Sequence, residues 1–307
     1  MSDPHPFAGR IWAELLLLAC LWGGSFLAIR LALNEVPFAT SVAHRVFWAA
    51  LILWAYVWWR GLPVPKDPQV WGALLVMGLL NNAIPFSLMA WGQLYIPTGL
   101  TSVFNAGTAI FGVVVAALLL RDERLTLRKA AGALIGFFGV ATAIGLDSVR
   151  HIDITSLAQL AVIGGTISYA FASVWARVHL SGLTPQVAAA GMLTGSSLIM
   201  VPAALILDGP PTFALAATTF AAIGYYVVFA TAGAYLLYYR LIAAAGAANT
   251  MIVTLLIPPV SILLGAIVLH ETLSPNVYAG LALLALGLII LDGRLLRRQS
   301  FVSGRSS

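Results

Sequence analysis

Between two uninterrupted apolar runs the chain reads Arg121-Asp122-Glu123-Arg124-Leu125-Thr126-Leu127-Arg128-Lys129. The run before it, Thr98–Leu120, carries no charge, and none follows Lys129 until Asp147. About 20 apolar residues in a helix cross the roughly 30 Å of hydrocarbon in a bilayer. The charged stretch therefore reads as a turn in water between two membrane spans.

The same reading extends in both directions. Of 307 residues 61% are hydrophobic and 9% charged, against roughly 25% charged in a soluble domain. Mean hydropathy is +0.96. So few polar groups cannot cover a folded surface, which excludes a soluble enzyme, a disordered chain and a nucleic-acid binder. Ten spans are expected: Ile11–Leu33, Phe38–Trp59, Gln69–Trp91, Thr98–Leu120, Leu127–Gly145, Ser156–Val178, Pro185–Leu207, Ala214–Tyr239, Ala247–Leu269 and Pro275–Leu291. The runs lack the period of two of a membrane barrel. The first is full length, so it reads as a retained span and not a cleaved signal.

Alternate loops then fall on opposite sides. One side collects 13 of the 16 basic residues: Arg10, Arg60, Lys66, Arg121, Arg124, Arg128, Lys129, Arg177, Arg240, Arg294, Arg297, Arg298 and Arg305. The other receives Arg150, while Arg30 and Arg45 fall within spans. Positive loops stay in the cytoplasm, so both termini are expected there, in a multi-pass protein of the cytoplasmic (inner) membrane. Trp12, Trp58, Trp59 and Trp71 fall at the same interface, where an aromatic belt belongs. The net charge of +5 is thus a topology signal. Cys20 is alone and excludes a disulfide framework.

The charged turn also returns. A shift of 148 residues lays Glu123-Arg124-Leu125-Thr126 on Glu271-Thr272-Leu273-Ser274, Gly132 on Gly280 and Gly139 on Gly287. A shift of 147 lays Arg30 on Arg177 and Trp22 on Tyr169. Two repeats are expected, residues 11–147 and 156–292, followed by a basic cytoplasmic tail, 293–307. Five spans each is an odd number, so the second repeat enters the bilayer inverted. The fold class expected is all-α integral membrane, with ten transmembrane helices in two inverted five-helix repeats. Transporters built this way bind substrate near the midplane between repeats.

These residues carry a resemblance. Trp22-Gly23-Gly24-Ser25-Phe26, Ala43-His44-Arg45-Val46, the stretch from Leu94 through Asn105 to Asp122-Glu123-Arg124-Leu125-Thr126 and Gly132, and Ile257-Pro258-Pro259-Val260 to His270-Glu271-Thr272-Leu273 resemble motifs of the drug/metabolite transporter superfamily, EamA type. The resemblance covers about Glu14 to Asp292 and is nearest to bacterial amino-acid exporters. One departure is Ala109-Ile110, where the family often has a proline. The resemblance implies a secondary transporter exporting amino acids, aromatic or other neutral ones, or related small metabolites, by alternating access. The alternative is a drug or organic-cation efflux protein. That reading needs a deep carboxylate, which no acidic residue clearly supplies.

Several polar groups lie at membrane depth. Arg45 is seven residues into its span, roughly 10 Å deep at 1.5 Å per residue, where an arginine costs on the order of 2.5–3.5 kcal/mol. It reads either as a fork for a substrate carboxylate or as a lock on carbonyls of a neighbouring helix. His44 beside it reads as a proton carrier or a packed histidine. Pro85 removes the N–H that would bond to Asn81, so Asn81 and Asn82 adjoin a freed carbonyl. The 148 shift lays Gly233 on Pro85, and paired helix breaks point to a transport site. Asn105 and the pair Pro258 and Pro259 extend the argument. Trp22, Ser25, Tyr169, Trp175 and Tyr235 complete the candidate cavity lining, the alternative for each being packing. Tyr238 and Tyr239 are assigned to the interface belt. No HExxH or Gly-Lys phosphate loop occurs, and His44 has no nucleophilic or acidic partner, so neither enzyme, metal nor cofactor is expected. The partners expected are a small-molecule substrate and the lipid bilayer, with the oligomeric state left open, a monomer included.

Overall fold

The computed structural model describes residues 9–121, 123, 125–145, 153–245, 250 and 253–292. Asp122, Arg124, Arg150, the start of the ninth expected span and the tail 293–307 lie outside them. Among the described residues all regular structure is helical. Eight helices are long and apolar enough to cross a membrane: α1 Gly9–Ala32, α2 Phe38–Trp59, α3 Pro68–Gly92, α4 Thr98–Leu119, α5 Leu127–Ile144, α6 Ile154–His179, α7 Pro185–Leu207 and α8 Ala217–Ala245. Two shorter apolar helices follow, α9 Val253–Val268 and α10 Pro275–Asp292. Leu118 and Ile206 are 78% and 82% exposed, a cost in water that hydrocarbon removes.

Where no water reaches, helix ends and helix breaks need internal partners. Pro37 and Pro97 precede α2 and α4 and offer no side-chain cap. Asp208 supplies the first, accepting from the Thr40 N–H at 2.8 Å and the Thr40 hydroxyl at 2.7 Å. Glu271 supplies the second through Thr98. Glu35 accepts from Ala216 N–H at the start of α8, and Asp153 accepts from Ser156 N–H in the first turn of α6. The Thr219 hydroxyl, then the Ala216 N–H, hold the Glu35 carboxyl below its ordinary pKa. These four acids share one face, each at a positive helix start. Arg30, expected within the first span, sits in the last turn of α1 at that face, where a helix's negative end favours a cation. The opposite face gathers the loop cations. There Glu14 pairs with Arg10 and Arg240, and Glu123 with Lys129 and Arg177. Lys129 foremost, then Arg177, keeps the Glu123 carboxyl below its ordinary value.

Two helices widen. In α3 the residues Leu79–Ala83 form a π turn, with Ile84 N–H donating to Leu79 O, which keeps the chain clear of the Pro85 ring. The bypassed Leu80 carbonyl accepts from the Ser168 hydroxyl at 2.7 Å. In α8 the π segment is Tyr225–Gly233, where the Thr231 hydroxyl donates to Tyr226 O at 2.7 Å. α4 breaks at Gly107, whereas α9 runs on through Pro258 and Pro259. The two thus bend differently.

The most extensive helix contacts map onto themselves when each helix is exchanged for the one five places away. α1–α9 corresponds to α6–α4, α3–α6 to α8–α1, and α3–α7 to α8–α2, while α2–α7, α4–α9 and α5–α10 are their own counterparts. At the α5–α10 crossing a Cβ on Gly132 would sit 2.7 Å from Gly287 O, and one on Gly139 2.8 Å from Gly280 O. The 148-residue equivalents exchange partners here, as they do across a two-fold axis.

Backbone meets backbone at this crossing, so added bulk must push two helices apart. Gly139→Ala is expected to lower thermal stability by about 1–3 kcal/mol. Gly112 has nothing within 4 Å of a Cβ, so Gly112→Ala should leave stability unchanged or raise it by up to about 1 kcal/mol. Thermal unfolding of both variants in lipid or detergent checks the pair, and equal midpoints would refute the crossing.

Candidate functional site

α1, α3, α4, α6, α8 and α9 surround a cavity of about 440 Å³, inside the ~300–1,000 Å³ range of small-ligand sites. Arg45, from α2, is the only charged residue lining it among the described residues. Its side chain is buried and has no carboxylate partner among them. Instead Nε donates to Thr231 Oγ1 at 2.9 Å, and Cζ lies 3.9 Å from the centre of the Phe86 ring. Cation–π attraction of a desolvated arginine is worth about 2 kcal/mol or more. That offsets much of the burial cost while leaving the charge uncompensated. No acceptor among the described residues engages the two terminal nitrogens of Arg45, which lines the cavity.

The wide turn in α8 makes this arrangement. Thr231 gives its proton to the freed Tyr226 carbonyl, so its oxygen faces Arg45 as an acceptor. The widened turn in α3 separates its two asparagines. Asn81 lines the cavity, with Nδ2 3.4 Å from Tyr235 Oη. Asn82 is fully buried behind it, its Oδ1 accepting from Tyr235 Oη at 3.2 Å while Nδ2 has no partner.

Of the sequence candidates, Trp22, Ser25, Arg45, Asn105, Tyr169 and Tyr235 line this cavity together. Three do not. Asn82 stands one layer back. His44 is turned away from Arg45, because neighbours on a helix diverge by 100°. It accepts from Trp48 Nε1 at 3.1 Å and lines a separate crevice of about 180 Å³. Trp175 stacks on His179 at 3.8 Å and donates from Nε1 to Ala73 O at 2.9 Å. Of the expected breaks, Pro85 lies against Gly165 of α6, and Gly233 ends the wide segment of α8.

Other lining residues escaped the sequence reading. Tyr238 and Tyr239, assigned to the interface, line the cavity because α8 continues six residues beyond Tyr239. Tyr238 packs against Trp22 at 5.4 Å. Gln93 lies past the expected end of the third span, yet it is buried, donating to Phe26 O at 3.3 Å with Oε1 unpartnered. Phe26, Phe86, Met77, Met89 and Met192 make the wall largely apolar. A positive fork within an apolar, aromatic wall suits an anion or zwitterion with an apolar body.

Tyr235→Phe removes the only partner that the Asn82 side chain has among the described residues. A buried polar group without a partner costs about 1–3 kcal/mol, and a corresponding loss of thermal stability is expected. An unchanged midpoint would show that Asn82 does not depend on this hydroxyl.

A model of the EamA-like transporter family matches residues 9–145 and again residues 156–291. An uncharacterized transporter of Archaeoglobus fulgidus is 26% identical over 285 residues, covering 91% of this chain and 97% of that protein. A probable terminal-alkyne amino-acid exporter of Streptantibioticus cattleyicolor is 25% identical over 300 residues, covering 96% and 98%. The uncharacterized inner membrane transporter YedA of Escherichia coli is 24% identical over 282 residues, covering 91% and 88%. A crystal structure covering 95% of this chain and 98% of its own superposes with a TM-score of 0.67 at 18% identity, a likeness of fold.

Proposed function

The chain belongs to the EamA-like transporter family, as a multi-pass inner-membrane transporter and not an enzyme, and from that premise we propose that it exports neutral amino acids, aromatic ones foremost, by alternating access. The observation that carries this reading is Arg45, a buried guanidinium whose terminal nitrogens meet no acceptor among the described residues, in a cavity lined by no carboxylate among them. A substrate carboxylate fits those nitrogens through two parallel charge-assisted bonds. Trp22, Phe26, Phe86 and Tyr169 offer apolar area to the substrate side chain. An organic cation would meet only positive charge here, so the cation-efflux alternative is disfavoured. The relative named as a probable amino-acid exporter agrees with this substrate class.

The proposed architecture is ten spans in two inverted five-helix repeats with both termini cytoplasmic. The double family match, the self-mapping helix contacts and the exchanged glycine partners support the repeats. The segregation of loop cations from capping carboxylates supports the orientation. The cavity reaches Ile242 near the end of α8 and Val253 and Thr254 at the start of α9, all toward the cation-rich face. In this reading the substrate enters there, from the cytoplasm, and Arg45 holds its carboxylate at the deep end.

Lysine keeps the charge but loses the fork. Arg45→Lys should weaken binding of a free amino acid by about 1.5–3 kcal/mol, the scale of a bond to a charged group. Methyl esters should be poor substrates even for the wild type. Counterflow in proteoliposomes with each acid and its ester checks both, and equal wild-type flux of acid and ester would end the carboxylate grip. Reporter fusions at Ser307 test the orientation independently. Activity confined to the cytoplasmic side is expected, and activity confined to the external side would reverse the topology.

A further inference from the structure

α4 packs on α6 along its length but meets α9 over only part of it. Thr108–Leu119 packs chiefly on α6, whereas Thr98–Ala106, at the carboxylate-rich face, packs on α9 as well as on α6. The cavity lies where α4 and α9 have parted, lined by Asn105 and Thr108 on one side and Val253, Thr254 and Ile257 on the other. The short α4–α9 contact is thus a closed end, and its chemistry is concentrated in one side chain. Glu271 accepts from Thr98 N–H at 2.9 Å, from the Thr98 hydroxyl at 2.7 Å and from Gly99 N–H at 3.4 Å. Ser261 of α9 donates to Thr98 O at 3.3 Å beside it.

The backbone sets Glu271 in place. Its own N–H turns back to Gly265 O at 3.1 Å, through a left-handed φ of 55° at His270. Gly265 leaves room for the carboxylate, since a Cβ there would fall 2.5 Å from Glu271 Oε2 and 2.7 Å from Thr98 Oγ1. The Asp208 and Glu35 caps differ. They bridge α2, α7 and α8, helices that already pack on one another elsewhere. Among the described acids only Glu271 ties the start of α4 to the end of α9, two helices that part again at the cavity.

We propose that Glu271 is the latch of the outer gate: its carboxylate holds the start of α4 against α9, and the cavity opens at that face only when these bonds release. The inference rests on the alternating-access reading above and adds the element that sets the balance between its two states. Charge-assisted bonds present in one state and broken in the other bias the equilibrium toward the first. Weakening them raises the population of the second in proportion.

The test uses the full-length protein in intact cells. Cys20→Ser removes the native thiol, and Ser25→Cys places one on the cavity wall. A membrane-impermeant maleimide added outside reports outward opening, and inside-out vesicles report the other mouth. Glu271→Gln should raise the external labelling rate about tenfold, a shift of about 1.4 kcal/mol. Gly265→Ala keeps the carboxylate but displaces it, and should raise labelling in the same direction. It also removes a helix glycine, so it keeps the test alive if Glu271→Gln folds poorly. Asp208→Asn, a cap of the other kind, should leave labelling unchanged. Unaltered labelling in folded Glu271→Gln and Gly265→Ala overturns the latch, and so does an equal rise in Asp208→Asn. If the wild type is instead shielded on the cytoplasmic side, the orientation proposed above fails, and the latch stands provided Glu271→Gln raises labelling from that shielded side.

Discussion

A bilayer offers no water to a backbone group, so each N–H or C=O left over at a helix end or break must find a partner in the protein. Most of the specific polar chemistry in this chain follows from that demand. Two of the acids at one face sit on helix starts whose own prolines cannot cap them, and three of the four caps cross more than half the sequence. Serine and threonine hydroxyls answer the carbonyls that the wide turns of α3 and α8 release. The same demand places Thr231 where it orients Arg45. Local backbone bookkeeping thereby fixes the electrostatics of a cavity.

That cavity carries a charge without its opposite. A carboxylate beside Arg45 would neutralise it cheaply and occupy the fork; an aromatic face stabilises the cation while leaving its donors free. The choice of Phe86 over an acid therefore separates a guanidinium that holds a helix from one that can hold a ligand. Tyr169 and Tyr235 border the same space and give it polar contacts of no net charge.

Much of the helical layout was legible because hydrophobic length in a membrane is a strong signal. α2 and α7 begin and end as expected, at Phe38–Trp59 and Pro185–Leu207, where a proline opens each and a polar group closes it. α8 was set too short because Arg240 reads as the end of a span. In the folded chain Arg240 reaches Glu14, and five more residues stay helical. The same reading of Arg240 puts Tyr238 and Tyr239 at the interface, where the longer helix instead carries them along the cavity. The candidate site was less legible, for a geometric reason. Counting 100° per residue predicts facing only along a regular helix, and a π turn inserts a residue into the count. Of the asparagine pair, Asn81 therefore reaches the cavity and Asn82, the expected lining residue, stands behind it. His44 and Trp175 show the complementary limit, since depth alone says nothing about which way a side chain points.

In the proposed architecture of two inverted repeats, the glycine crossing of α5 and α10 has a hereditary consequence. Because Gly132 meets Gly287 and Gly139 meets Gly280, each half presents the same ridge to the other. Such a seam is self-complementary in the sense of an isologous dimer contact. Two identical five-helix chains, one inserted each way, would join through it with no residue changed in kind. Fusing their genes would add only the tether that dictates which copy faces the cytoplasm, after which the two halves are free to diverge everywhere except along the ridge they share.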